Sequence, residues 1–244
     1  TDLTEVNLAA VDQATDTPTN NFATINSLEL YPSGATLAEG NLKMTTGGNE
    51  IYSFNNSTIA VSSGKWYAEV KVTTTTTDNF NMIGISAESP IYQRSSPWGE
   101  LGESAYAYAY VGNDGAIRNN DSDSSYGDAY STAVIGIYLD LDNNKLYFAE
   151  DGTIKNSGTG QSITAAASTS TGHYHISAGN YHNNAAVFEV NFGNPVSAPS
   201  SAVADKNGYG SFEFDPSDGG SSSFDSAAKD FLAICSKNLG SDGG

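Results

Sequence analysis

Positive charge is scarce in this chain: its 244 residues hold ten Lys plus Arg against 28 Asp plus Glu, a net charge of −18. A nucleic-acid binder needs a basic footprint to neutralise phosphates, so nucleic acid is not an expected partner. Anionic membrane surfaces are disfavoured for the same reason. Cysteine is nearly missing as well. Cys235 is the only one, so no intramolecular disulfide can form. Ser236-Lys237 follows it and no His adjoins it, which fits a small buried hydrophobe rather than a nucleophile. No apolar run approaches the ~18 residues of a membrane span, so no membrane insertion is expected. No basic-plus-apolar leader stands at the start. The chain begins at Thr1 rather than Met, as a processed product or a piece of a longer one does. Gly-x-Ser-x-Gly and HExxH are both missing. Glycosidases on lectin-like sandwiches use paired carboxylates, but Glu69 and Glu189 each stand alone on their strands.

What is present is turn chemistry and period-two alternation. The charged fraction is only 16%, and Ser, Thr, Asn and Gly fill the gaps. The length suffices for one large all-β domain with a sizeable core. The stretch Ser131 to Gly152 reads as a β-hairpin: Ile135, Ile137, Leu139 and Leu141 alternate with Val134, Gly136, Tyr138 and Asp140, the spacing of one strand face. Asp142-Asn143-Asn144 supplies turn residues that tolerate positive φ. Leu146 and Phe148 resume the alternation, and Asp151-Gly152 is a second turn signal.

Other strands follow the same pattern. Ser62 to Val72 sets Trp66, Ala68, Val70 and Val72 on one face, with Tyr67, Glu69 and Lys71 on the other, where Glu69 and Lys71 can pair. Leu37 to Thr46, Asn81 to Ser86, Ser104 to Val111, His173 to Ala178 and Ala186 to Phe192 read as further strands. Gly84 marks a close approach of a neighbour. Tyr106, Tyr108 and Tyr110 share a face, either core or an exposed interface. Asn119 to Gly127 reads as a polar loop. Ala228, Phe231, Leu232 and Cys235 have helix spacing, so a helix is predicted over Ser226 to Leu239 with Gly240 as its cap. The expected organisation is an N-terminal arm (1–21), a β-sandwich (22–200) and an acidic Gly/Ser-rich stretch with a short closing helix (201–244).

Four segments in order carry a family resemblance: Gly64-Lys65-Trp66-Tyr67-Ala68-Glu69-Val70, Ile83-Gly84-Ile85, Val134 to Asp140 with Leu146-Tyr147-Phe148, and Val190-Asn191-Phe192-Gly193. Together they resemble a SPRY (B30.2-like) domain. More narrowly, the chain is similar to SPRY-domain proteins of marine bacteriophages and viral metagenomes. Asp16 to Thr24, Ala38-Glu39-Gly40-Asn41-Leu42, the Asn119 to Gly127 loop and Leu232 to Leu239 resemble segments of those proteins. The resemblance spans roughly residues 16 to 240, and Tyr209 to Ser226 departs from it. It implies an all-β, lectin-like sandwich of two antiparallel sheets without catalytic machinery. The expected function is that of a non-enzymatic virion structural protein, a decoration, fibre or tail-appendage subunit on the virion surface. Its partners would be other copies of itself, other virion proteins and a host-surface glycan or protein. An extracellular adhesive or filament-forming protein is the alternative, and a carbohydrate-active enzyme the third.

Binding candidates sit in loops. Tyr92, Arg94, Trp98 and Tyr126 have side chains that stack on sugar rings or anchor protein partners. Asn119, Asp121 and Asp123 add polar groups beside them. Asp121, Asp123 and Ser125 place oxygens at alternate positions, as calcium loops do, though the Gly and the closing Glu of an EF-hand are misplaced; no cofactor is therefore expected. Asp140, Asp142 and Asn143 form a second oxygen group, better explained as a turn. His173 and His175 share a strand face, with His182 near in sequence, but no third metal ligand has a defined spacing.

Overall fold

Alternating apolar residues on several strands can be buried only by stacking one sheet on another. The computed structural model, which describes residues 17–29, 35–47, 53–75, 78–90, 99–181, 185–217 and 229–241, shows that arrangement. Its strands are β1 (Thr36–Ala38), β2 (Lys43–Thr45), β3 (Ser53–Val61), β4 (Lys65–Thr74), β5 (Asn81–Ser86), β6 (Ala107–Val111), β7 (Ala116–Asn119) and β8 (Ser122–Ser125). They continue with β9 (Val134–Asp140), β10 (Lys145–Glu150), β11 (Thr153–Ile154), β12 (Gln161–Ser162), β13 (Tyr174–Asn180), β14 (Val187–Asn191) and β15 (Leu232–Ala233), before the helix α1 (Ser236–Ser241). One sheet runs β1-β2-β14-β4-β9-β10-β11, with β12 beside β10 and β15 beside β4. The second runs β3-β13-β5-β6-β7-β8.

The core between the sheets is built from the faces that the alternation marks. Trp66, Ala68, Val70 and Val72 meet Ile135, Ile137, Leu139, Leu146 and Phe148 on one side, and Ile83, Ile85, Tyr108, Tyr110, Tyr174 and Ile176 on the other. The tyrosine face of β6 is therefore core, with Tyr106 packed at its margin. The Ser131 to Gly152 hairpin pairs Asp140 with Lys145 and Glu150 with Ile135. Its turns use the residues expected: Asn144 has φ 53°, and Asp151-Gly152, at φ 46° and 76°, joins β10 to β11 as a two-residue turn.

The structure corrects several expectations. Leu37 to Thr46 is a hairpin of β1 and β2, because Glu39, Gly40 and Asn41 all take positive φ and reverse the chain. Asn119 to Gly127 contains a strand: Asn120 and Asp121, at φ 51° and 57°, are the two central residues of a tight turn joining β7 to β8. The predicted helix over Ser226 to Leu239 is much shorter. Residues 218–228, including Ala228, lie outside the described residues. Leu232–Ala233 is a strand, Gly240 is inside α1 rather than capping it, and Phe231 and Cys235 precede the helix. The cause is the register of β4, where β14 pairs only from Glu69 to Thr74. Trp66 and Tyr67 keep a free side, and β15 fills it in parallel.

Strand β3 has no clear sequence signal, because Asn55, Asn56 and Ser57 are polar yet buried. Neighbours satisfy the Asn56 side chain: its Nδ2 donates to the Glu88 carbonyl at 2.9 Å, and the Ser177 hydroxyl donates to its Oδ1 at 2.7 Å. Next to them on β13, His175 Nδ1 donates to the Ser57 carbonyl at 2.8 Å. Burial pushes the His175 imidazole below its ordinary pKa, and His173 beside it adds to the effect. The unfolded chain thus binds a proton near pH 6.5 that the fold resists, so stability falls as pH drops through and below that value. Urea unfolding at pH 7.5 and 5.5 should show this loss, and His175→Gln should shrink the difference. An unchanged difference in the variant would remove His175 from the account.

The outer face of the larger sheet is covered too. Tyr67, Tyr138, Tyr147, Ala149 and Ile154 pack beneath Phe22, Phe212, Phe231, Ala233 and Cys235. The Tyr67 and Tyr138 rings lie 4.5 Å apart, and Phe212 meets Tyr67 edge-on at 5.0 Å. The acidic C-terminal stretch, where described, is therefore a third layer. Asp205 fastens it: Oδ1 accepts from the Asn207 and Tyr209 amides, and Oδ2 from the Ala233 amide and Asn238 Nδ2. Cys235 is fully buried here, and burial raises its thiol pKa, as a small hydrophobe would show.

Candidate functional site

The β7–β8 hairpin brings two binding candidates of the sequence, Asp121 and Asp123, to Arg118. Its guanidinium meets Glu100, Asp121 Oδ1 at 2.6 Å and Asp123 Oδ1 at 3.0 Å. The oxygens of Asp121 and Asp123 thus converge on a guanidinium, while Ser125 ends the exposed edge strand β8. Among the described residues no group of three His, Cys, Asp or Glu side chains is placed to hold a metal ion. Asn119 is a structural clamp: its Nδ2 donates to the Ala107 carbonyl at 2.8 Å and the Ala105 carbonyl at 3.2 Å. Tyr126 is 6% exposed and stands in the core, edge-on to Phe148, with its hydroxyl accepting from the Phe148 amide. It is not a loop aromatic offered to a ligand. Tyr92, Arg94 and Trp98 lie outside the described residues.

Beside Arg118 a cavity of about 220 Å³ opens on the outer side of the six-stranded sheet. Met82 and Val111, direct cross-strand partners, line it with Phe80, Tyr181, Glu100, Asn113, Asp114, Arg118 and Asp123. The Phe80 and Tyr181 rings are 5.4 Å apart at 59°. The Tyr181 amide donates to the Phe80 carbonyl at 3.0 Å, which continues the β5–β13 ladder past its end and sets the two rings side by side. Burial pushes the Glu100 carboxyl above its ordinary pKa although Arg118 opposes this. Of these lining residues the sequence singled out Asp123 as a binder. Phe80 and Tyr181 were readable only as aromatics flanking Asn81 and Asn180, which pair across the sheet.

A second concavity, about 410 Å³, lies over the larger sheet between Glu69, Lys71, Glu189 and Asn191 and the segments 195–200 and 213–214. It brings Glu69 and Glu189, separate in sequence, onto neighbouring strands. Glu69 is 3% exposed, and both its oxygens are occupied. Oε1 accepts from the Tyr67 hydroxyl and the Phe214 amide, each at 2.9 Å. Oε2 accepts from Asn191 Nδ2 at 2.9 Å and the Glu213 amide at 3.0 Å. Burial raises the Glu69 pKa against the pull of these donors. A carboxylate facing four donors is an anchor for the third layer and has no acceptor to which a proton could be directed. Glu189 pairs with Lys43 at 3.6 Å, and Glu213 is held below its ordinary pKa by Ser200, whose hydroxyl and amide both donate to it.

The remaining candidates resolve as structure. Asp140 is buried, accepts from the Asn143 amide at 3.0 Å and Asn143 Nδ2 at 2.8 Å, and faces Lys65 at 3.8 Å. Asp142 accepts from the Gly64 amide at 2.9 Å. The Asn143 bonds are turn bonds, as the residue types imply, and the Gly64 bond ties this turn to the start of β4. The His173 and His175 rings are 5.3 Å apart, and His182 lies outside the described residues.

Comparison with solved structures matches this geometry. The SPRY domain of human HERC1 superposes with a TM-score of 0.50 at 12% identity, covering 68% of this chain and 96% of that one. Stonustoxin superposes with a TM-score of 0.51 at 14% identity, covering 70% of this chain and 27% of that one. No protein-family model matches the chain, and no curated protein does. The four segments that carry the resemblance stand on β4, β5, β9 with β10, and β14 with the residues just after it. The chain folds as a SPRY-like, B30.2-like β-sandwich of two antiparallel sheets.

Proposed function

We propose that this chain is a non-enzymatic binding and assembly subunit on the surface of a bacteriophage virion, in a decoration, fibre or tail-appendage role. One observation carries the non-enzymatic part. The carboxylates in both concavities are committed to structural bonds: Glu69 to four donors, Glu189 to Lys43, and Glu100 and Asp123 to Arg118. Such surfaces recognise rather than react. A SPRY-like sandwich presents recognition groups from turns and strand ends held by a rigid frame. The virion setting rests on the sequence resemblance to phage SPRY-domain proteins, and the acidic, nearly Cys-free composition is compatible with it. Its partners would be copies of itself, other virion proteins and a host-surface glycan or protein.

Mass spectrometry of gradient-purified particles tests the reading. The chain should be present at the copy number of a structural protein. Its presence only in the non-particle fraction of infected cells would contradict the proposal.

A further inference from the structure

The cavity beside Arg118 has an unusual balance of groups. Its apolar floor is Met82 and Val111, and the Phe80 and Tyr181 rings flank it. Its polar side carries Glu100, Asp114 and Asp123, with Asp121 bound to the same guanidinium. One cation therefore stands among four carboxylates. Glu100 is 11% exposed and Arg118 19%, so this charge is partly shielded from water, whereas Asp121 at 70% is well solvated. Arg118 already spans three carboxylates and has little left to offer an anion or a sugar hydroxyl. The raised pKa of Glu100 points the same way: Arg118 does not fully offset the burial of its charge.

A ligand that fits must bring positive charge on an apolar stem. Aromatic faces attract cations, carboxylates pair with them, and the methylenes of a long basic side chain pack on Met82 and Val111. We propose that this pocket receives a lysine or arginine side chain from a partner protein. The inference rests on the binding reading above and names the chemistry of the partner. The net charge of −18 assists by steering basic partners toward the molecule.

NMR titration of the full chain tests this directly. The probes are acetyl-Gly-Lys-Gly-amide, its arginine counterpart, its norleucine counterpart and free neutral monosaccharides. The two basic peptides should shift the backbone amides of 80–82, 111–114, 118–123 and 181, and added salt should weaken them. Tyr181→Leu and Asp114→Asn should each weaken the lysine peptide about fivefold. Asp114→Asn retains an oxygen for the Ala116 amide, which Asp114 Oδ1 accepts at 3.0 Å, so its fold is preserved; unchanged shifts elsewhere in the spectrum verify this for both variants. Failure of the basic peptides to move these amides overturns the proposal, as do equal shifts from norleucine or from a sugar. A chain abundant in purified particles whose pocket ignores basic peptides would defeat this inference alone and leave the virion reading intact.

Discussion

Glu69→Ala should lower folding stability by about 3–5 kcal/mol, because several buried donors lose one shared acceptor at once. The variant removes the acceptor shared by four donors: the Tyr67 hydroxyl, Asn191 Nδ2 and the amides of Glu213 and Phe214; Asn191 Nδ2 keeps the Ser211 carbonyl at 2.9 Å. An orphaned buried donor costs roughly 1–3 kcal/mol, reduced where water can enter. Glu69, Asn191, Glu213 and Phe214 line the neighbouring cleft, so water has a route to these donors and the total stays below the sum. Glu69→Gln should cost less, because its amide oxygen still accepts while its NH2 faces donors. Glu189→Ala is the control. It lies on the same sheet, but its Lys43 pair is half-exposed, and such pairs contribute under about 1 kcal/mol. Urea unfolding of the three variants decides the matter. Equal, small losses for Glu69→Ala and Glu189→Ala would show that Glu69 does not anchor the third layer.

Gly84→Ala should cost about 3 kcal/mol or more. A Cβ built on Gly84 would overlap the Tyr108 carbonyl oxygen and lie 2.9 Å from its carbon. Both are backbone atoms of β6, the strand paired with β5 at that point. A flexible side chain could swing aside, but a paired strand cannot. The sheet must separate or shear, at the upper end of overpacking costs. Gly240→Ala is the matched control, since nothing lies within 4 Å of its Cβ position in α1. Alanine there should be neutral or stabilise by up to about 1 kcal/mol. The thermal midpoint of each variant measures the contrast. Similar midpoints for both would mean that β5 and β6 are less closely apposed than described.

The sandwich itself is readable because its core strands alternate. β4, β5, β9, β10, β13 and β14 all lie within or beside the stretches that periodicity marks, and Gly84 sits where a neighbour approaches closely. What periodicity misses has physical causes. Strand β3 carries Asn and Ser at buried positions whose partners come from distant segments, Glu88 and Ser177. Strand β8 follows a tight turn made without glycine, so it resembles a polar loop. The residues Phe231, Leu232 and Cys235 suit a helix face, yet tertiary pairing with the free side of β4 prevails over that local pattern.

The site was readable only in part. Asp121 and Asp123 were marked in the sequence, but their partner Arg118 and the ring pair of Phe80 and Tyr181 are assembled by the sheet from three separate stretches. Tyr126 was misjudged because its neighbours in sequence are polar while its neighbours in space, Tyr110 and Phe148, are core. Glu69 looked like one of a surface pair with Lys71. The third layer that buries it lies more than 140 residues further along the chain, beyond the reach of any local pattern.

The most direct measurement of the functional account is antibody labelling of intact, gradient-purified particles, with the same fractions analysed by mass spectrometry. A subunit displayed on the virion surface should be found in the particles at structural copy number, and the antibody should decorate them without prior disruption. Particles free of the chain, with the protein confined to soluble fractions, would contradict it.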